Sequence, residues 1–249
     1  MRNYLAADIH RVVHKPSFLG ACAAFAGLFF LLVFLYFNPG FTADLYVAKI
    51  SGFLSFFPLL VGLFVFMAVY ADDFKCRSMQ VAIGYGIPRG RIVLGKLLES
   101  ALLLLCAAAL LEVLVSVTPV VLGLAPGFRH LESLTLTLLA ETLRALGYTA
   151  LATVPVFFSQ NAVNGSIVYV LLASKTVYIA LTLFLGQAFV QNTVGDLTGY
   201  LYTTQLYTAR DLLLGNASFA VPLLLTVLGY VVLPTGIAAW AFYKKELEF

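Results

Sequence analysis

A glycine-containing segment, Gly90 to Leu97, comes close to a known phosphate-binding sequence. Its residues, GRIVLGKL, supply the glycines and the lysine of the pattern GxxxxGK[ST], in which backbone amides and the lysine ammonium hold nucleotide phosphates. The last position, which must be Ser or Thr to coordinate Mg²⁺, is Leu97, and bulky residues separate the glycines. The sequence therefore predicts no binding of ATP and no cofactor in this chain.

Two histidines, His10 and His14, have the i, i+4 spacing that can present both imidazoles to one metal ion. The zinc-protease pattern requires Glu directly after the first histidine, and Arg11 occupies that position. These features favour histidines that face the membrane surface over a metal site. No pairing of nucleophile and base predicts a catalytic site, so we expect no enzyme activity in this chain.

Four ionisable residues, Glu112, Glu141, Arg144 and Lys175, fall within long apolar stretches. A charge in such a place is costly and usually faces other helices or a water-filled cavity. Glu141 and Arg144 are three residues apart and can pair on one helix face, which leaves Glu112 or Glu141 as a partner for Lys175. Two interpretations stay open: a polar lock between helices, or a polar spot on a translocation path.

The elements that must position these residues are membrane-spanning helices. Of the 249 residues, 61% are hydrophobic and 11% are charged, whereas about 25% are charged in a typical soluble domain. Apolar stretches of about 20 residues are long enough to cross a bilayer, and only helices or closed barrels can do so. We predict an all-α integral membrane protein with a single transmembrane domain over residues 1–249. The six predicted spans are Phe18 to Phe37, Phe53 to Tyr70, Ile92 to Thr118, Leu134 to Phe158, Ser166 to Val190 and Phe219 to Tyr243.

Basic residues predict the orientation of these spans. Ten of the 15 Lys and Arg residues fall on the side of the termini and of the loop at residues 72–96, three fall on the opposite side, and two lie within spans. Because cytoplasmic loops carry an excess of Lys and Arg, both termini and residues 72–91 are expected in the cytoplasm.

Residues 1–17 have the pattern of a helix lying in the membrane surface. Apolar residues recur at helical spacing, and charged residues take the other face. The predicted apolar face contains Leu5, Ile9, Val12 and Val13, and the predicted polar face contains Arg2, Asp8, Arg11 and Lys15.

A second surface segment, residues 191–216, lies on the predicted outer side and is rich in Tyr, Thr and Leu. A connection of this length usually has structure of its own. It can be a re-entrant helical pair, or an ordinary aromatic belt at the interface. The shorter connections at 38–52, 119–133 and 159–165 are predicted to be loops.

Residues 72–91 are predicted to form a short cytoplasmic helix with an apolar and a basic face. Asp72 and Asp73 can cap its beginning, and Gly84, Gly86 and Pro88 end it. A helix that lies on the lipid surface would fit the same pattern. Glu99, which follows closely in the third span, is expected to pair with a cation of the charged loop at residues 72–96.

This region resembles the second cytoplasmic loop of type-2 ABC exporter permeases. The resemblance rests on an acid that closes the second span (Asp73), a short helix with a basic residue (Arg77), and the stretch GIPRGRIVLGK from Gly86 to Lys96. The sequence QNAVN, from Gln160 to Asn164, and the order of the predicted elements are also similar to this family. Size and layout look most like the small permeases of bacterial peptide export and lantibiotic immunity.

The resemblance implies partners that composition does not predict. Such permeases pair with a second permease chain, identical or related, and recruit two copies of an ATPase subunit that binds ATP and Mg²⁺. It implies a bacterial cell membrane location, membrane lipid as surroundings, and outward transport of an amphipathic peptide, drug or lipid-like molecule, with no nucleic acid involved. The residues implied in coupling to the ATPase are Asp73, Phe74, Arg77, Met79 and Arg89.

The resemblance also implies that the fifth span lines the translocation path, which makes Lys175 a path residue, and that residues 191–216 form an outer gate. The alternative function is a stand-alone ion-coupled transporter or channel that uses Glu112, Glu141, Arg144 and Lys175 as a relay.

Overall fold

The computed structural model describes residues 2–75, 78–215 and 217–245, and the regular elements in these ranges are all helical. The predicted all-α class is therefore confirmed. The α-helices are α1 (Arg2–Val13), α2 (Pro16–Tyr36), α3 (Ala43–Leu54), α4 (Leu63–Lys75), α5 (Ser78–Gly84), α6 (Arg89–Val121), α7 (Phe128–Ser159), α8 (Ala162–Ala173), α9 (Thr176–Leu185), α10 (Ala188–Val194), α11 (Tyr202–Leu214), α12 (Ala220–Val227) and α13 (Leu233–Lys244).

Four helical stretches in the described ranges are long and apolar enough to cross a membrane: Pro16–Tyr36, Ala43–Ala71, Arg89–Val121 and Ala220–Lys244. The helices α8 and α9 together would add a fifth, although they are bent by 57° where they meet. These stretches overlap five of the six predicted spans.

The remaining predicted span lies within α7, the central helix of the bundle. This 32-residue helix packs against α3, α6, α8, α11 and α13. It buries Glu141, Arg144 and several threonines, which lower its apolar content. Because its neighbours surround it, α7 can hold polar side chains that a lipid-facing helix would expose.

The predicted loop at residues 38–52 is wrong over most of its length, because α3 begins at Ala43. The hydroxyl of Thr42 accepts a hydrogen bond from the Leu45 amide, as expected of a helix N-cap. Tyr46 and Ile50 are buried, so packing stabilises this helix, although Asp44 and Lys49 interrupt its apolar residues.

Two of the membrane-length helices are interrupted by single π-helical turns. Pro58–Gly62 separates α3 from α4, and Leu228–Val232 separates α12 from α13. A third interruption lies between α8 and α9, where Lys175 has a left-handed backbone with φ of 63°. Since such breaks free backbone groups from their usual bonds, side chains of other helices must satisfy these groups.

The predicted outer segment contains the end of α10, a 3₁₀ turn at Thr198–Tyr200 and α11. The start of α11 lies beside the middle of α7, where the Tyr202 hydroxyl donates to the Leu143 carbonyl. Its end lies beside the start of α7, where Arg129 donates to the Leu214 carbonyl at 3.2 Å. Helix α11 is therefore antiparallel to the first half of α7.

Candidate functional site

The centre of α7 carries a buried ion pair. Glu141 and Arg144 are 1% and 0% exposed, and Arg144 Nη2 lies 2.8 Å from Glu141 Oε2. The predicted pairing of these residues is confirmed. An ion pair removed from water needs further hydrogen bonds to offset the lost hydration, and two neighbouring elements supply them.

The first of these elements is α11. The hydroxyl of Tyr207 donates to Glu141 Oε1 at 2.7 Å and accepts from Arg144 Nη1 at 2.5 Å. A single side chain of α11 thus bonds both members of the ion pair.

The second element is the break between α3 and α4. Arg144 Nη2 donates to the carbonyl of Ser55, the C-terminal cap of α3, at 2.6 Å. Nearby, the Tyr169 hydroxyl of α8 donates to the Pro58 carbonyl at 2.9 Å. We call Ser55, Glu141, Arg144 and Tyr207 the central polar cluster. It fastens α11 and a broken helix to α7, as the polar-lock interpretation requires.

Glu112 lies in a separate polar contact between α6 and α7. Its Oε1 accepts from the hydroxyl of Ser116 at 3.0 Å and from that of Thr135 at 2.6 Å. Since each of the two glutamates has its own partners, Glu112 and Glu141 are held in different places.

Lys175 does not form the expected salt bridge with Glu112 or Glu141, so that part of the pairing prediction is wrong. It forms no salt bridge with any residue in the described ranges. Its left-handed backbone places it at the bend between α8 and α9, where it is half-buried. Glu141 is already bonded by Arg144 and Tyr207. This explains why Lys175 forms no salt bridge with Glu141.

A second buried cluster lies at the end of the bundle that carries residues 72–91. The ammonium of Lys96 is fully buried and forms salt bridges with Asp8 of α1 and Asp73 of α4, and with Glu99 at 3.1 Å. Arg11 reaches Asp8 at 2.5 Å and Asp73 at 3.3 Å. We call these five residues the basal ion cluster. The predicted pairing of Glu99 with a loop cation is confirmed, and the lysine of the phosphate-like motif is fully engaged.

The basal ion cluster corrects the prediction that Asp8 lies on an exposed polar face, because the residue is only 8% exposed. Burial raises the pKa of the Asp8 carboxyl, but the charges and hydrogen bonds of Lys96 and Arg11 outweigh this effect and hold the pKa below its ordinary value of 3.8. Asp8 is therefore ionised at neutral pH. In consequence α1 is pinned to the ends of α4 and α6, in addition to any contact with lipid.

The other end of residues 72–91 is also fastened. Arg89 donates to the carbonyls of Phe242 at 2.9 Å and Lys245 at 2.6 Å, and so caps the last turn of α13. A cation at a helix C-terminus also interacts favourably with the helix dipole. The short helix α5 is thus held between a buried ion cluster and a capped helix end.

The residues implied in coupling have different surroundings. Asp73 is buried in the basal ion cluster, Met79 is 3% exposed and Arg89 is part of the α13 cap. The side chain of Phe74 and the whole of Arg77 lie outside the described residues. Two side chains that are not among the residues implied in coupling, Val81 and Tyr85, are 57% and 85% exposed.

The histidine pair is exposed on α1, and the rings stack at 4.2 Å between centroids. His14 Nδ1 lies 2.8 Å from the carbonyl oxygen of His10. In the described part of the chain, no group of three or more His, Cys, Asp or Glu side chains could hold a metal ion.

Sequence reasoning missed Ser55, Tyr207 and Asp8 as site residues. Ser55 contributes a carbonyl, which leaves no trace in the residue type. Tyr207 was recognisable as one tyrosine of the outer segment, but its spacing from Glu141 gives no indication of contact. Asp8 has the position of a surface residue in the helical pattern, and only the approach of α4 and α6 buries it.

By the length and composition of its helices, this chain is a multi-pass helical membrane protein. It matches no model of a known protein family, no curated protein and no solved structure.

Proposed function

We propose that this chain is the transmembrane permease subunit of an ATP-driven ABC exporter. In this proposal it crosses a bacterial cell membrane six times, with α7 as the fourth span and both termini in the cytoplasm. It pairs with a second permease chain and recruits two ATPase subunits, which bind ATP and Mg²⁺. The cargo is an amphipathic peptide, drug or lipid-like molecule.

The observation that carries the proposal is the way residues 72–91 are held. Asp73 fastens one end to α1 and α6, and Arg89 fastens the other end to α13. Between these anchors α5 and the following turn expose Val81 and Tyr85. A force applied to this element would therefore reach α1, α4, α6 and α13 together, as coupling to a separate motor subunit requires.

The central polar cluster supports a matching role in the middle of the bundle. It joins α11 to the break in the second span, and interrupted helices near the middle of a membrane often mark transport sites. In the proposed exporter the cluster holds α11 closed against α7. Lys175, which forms no salt bridge with the residues that the structure describes, faces the path of the cargo.

The test is to purify the tagged chain from its native membranes in mild detergent. We expect an ATPase with an intact phosphate-binding loop, identified by mass spectrometry, to remain bound and to hydrolyse ATP. The substitutions Val81→Asp and Tyr85→Ala should reduce the amount of retained ATPase at least tenfold, because interface hot spots contribute about 2 kcal/mol or more.

Phe128→Ala is the matched control, since Phe128 is 80% exposed but lies at the opposite end, where α7 begins. It should leave the retained ATPase unchanged. The proposal is wrong if the unmodified chain retains no such ATPase, or if both loop variants retain it fully.

A further inference from the structure

An apolar groove opens on the side of the bundle between α6, α7, α11 and α12. Its volume is about 210 Å³, larger than the cavity of about 150 Å³ that is able to hold a benzene molecule. We call it the lateral groove. Its lining is mostly leucine, including Leu105 and Leu139, and its polar lining residues are Thr142 and Arg210.

The groove offers an apolar surface with a single charged residue. The hydroxyl of Thr142 is already bonded to the Leu138 carbonyl at 2.7 Å, which leaves Arg210 as the polar element of the lining. Leu105 and Leu139 are 51% and 46% exposed. In a membrane-embedded chain these exposed leucines would open the groove to lipid chains rather than to water.

Arg210 lies near the end of the bundle where α7 begins. It precedes Leu214 by about 6 Å along α11, and the Leu214 carbonyl accepts from Arg129 in the first turn of α7. The groove therefore runs from this arginine toward the middle of the bundle. An amphiphile with a charged head and an apolar tail has the same arrangement of charge and apolar surface.

The guanidinium of Arg210 has donors left for an anion. Its Nε and Nη2 atoms bond one oxygen of Asp211, at 2.9 and 2.8 Å, which accounts for two of five N–H groups. The side chain of Asp211 is 63% exposed, and an exposed ion pair is easily displaced. Arginine binds phosphate well because its planar fork matches two phosphate oxygens.

We propose that the lateral groove binds one acyl chain of an anionic membrane phospholipid, whose headgroup phosphate is held by Arg210. The bound lipid would be a resident of the membrane, independent of any ATPase partner. Because Arg210 also lies 5.2 Å over the ring of Tyr207, the lipid would lie next to the central polar cluster.

A fluorescence quenching experiment tests this binding. The chain has one tryptophan, Trp240, in α13, so Trp240→Phe combined with Leu139→Trp places a single reporter in the groove. Leu105→Trp provides a second reporter on the facing wall. The purified full-length chain is placed in phosphatidylcholine vesicles that contain either brominated phosphatidylglycerol or brominated phosphatidylcholine.

Both reporters should be quenched about fivefold more efficiently by the anionic lipid than by the zwitterionic one, the effect expected of one basic residue near a membrane surface. Arg210→Gln should remove this preference. Arg129→Gln is the control, since Arg129 lies at the same end but outside the groove, and should preserve it. Asp211→Asn should increase the preference, a gain that a merely damaged fold would not produce.

Equal quenching by the two lipids would overturn the proposal, and so would a preference that survives Arg210→Gln. Absence of quenching by either lipid would also overturn it, because the groove would then be covered by protein, such as a second copy of the chain.

Discussion

Arg144 bonds more groups than any other side chain of the central polar cluster. Its guanidinium bonds a carboxylate on its own helix, a hydroxyl on α11 and a backbone carbonyl at the end of α3. A lysine could not make these bonds together, because its single ammonium lacks the width of the guanidinium fork. The residue therefore acts as a structural junction between three elements.

Replacement of Arg144 by methionine should destabilise the chain by about 3 to 5 kcal/mol, because Glu141 is left buried without its cation. The double substitution Glu141→Leu with Arg144→Met should recover most of this loss. Unfolding by denaturing detergent in mixed micelles measures the stability of both variants.

Lys175→Met serves as the comparison for Arg144. It should cost less than about 1 kcal/mol, because no salt bridge within the described ranges is broken. If Arg144→Met kept full stability yet abolished transport, the lock would be the wrong interpretation and a path residue the right one.

At the basal ion cluster, Lys96→Met leaves three carboxylates, on Asp8, Asp73 and Glu99, with Arg11 as their remaining cation in the cluster. We expect α1 to detach and its amide hydrogens to exchange at least tenfold faster, as measured by mass spectrometry. Arg91→Met replaces an exposed cation five residues earlier on α6 and should leave exchange in α1 unchanged. Equal exchange in the two variants would show that apolar packing alone holds α1.

Among the elements, α11 depends most on close packing. Gly147 of α7 lies against the ring of Tyr202, and a Cβ at this position would come within 2.3 Å of it. Further along the same contact, Tyr148 and Thr203 share a hydrogen bond of 2.8 Å. Helix α11 can approach α7 this closely only because a glycine faces the tyrosine.

Gly147→Ala should therefore displace α11 and cost about 1 to 3 kcal/mol through overpacking. Detergent unfolding measures the loss, and hydrogen exchange in α11 locates it. Gly20→Ala is the matched control, because a Cβ there has no neighbour within 4 Å. If the two alanine variants were equally stable, the contact between α11 and α7 would be looser than described.

On the scale of the whole molecule, the described part of the chain has a large apolar core with buried polar groups inside it, and it also exposes many large apolar side chains. The two clusters bury six of their charged side chains, whereas α9 buries none of its residues and exposes Ile179, Leu183 and Phe184. The six are Asp8, Asp73, Lys96, Glu99, Glu141 and Arg144. This distribution suits a chain whose surroundings are lipid, since outward-facing leucine and phenylalanine then meet hydrocarbon.

The proposed arrangement of six spans with cytoplasmic termini predicts the side on which each exposed residue can be labelled. In a chain with Cys22, Cys76 and Cys106 replaced by serine, Tyr85→Cys and Tyr243→Cys should react with an impermeant maleimide in inverted vesicles only. Phe128→Cys should react in right-side-out vesicles only. Labelling of the positions at Tyr85 and Tyr243 from opposite sides would mean an odd number of crossings between them.

The sequence alone predicted the features that depend on residues close together in the chain. The helical class follows from apolar runs, and the Glu141 and Arg144 pair follows from a three-residue spacing on one helix. Pairing of Glu99 with a loop cation also required only local reasoning. In each case the partners are placed by the geometry of a single helix.

Only the tertiary structure decided which distant groups meet. It brought Ser55 and Tyr207 to Arg144, buried Asp8 beside Lys96, and left Lys175 without a salt bridge in the described ranges. It also showed that α3 is a helix and that α7, the most polar of the long helices, lies at the centre. Hydropathy measures the average cost of exposure to lipid, whereas these contacts depend on which neighbours remove a side chain from lipid.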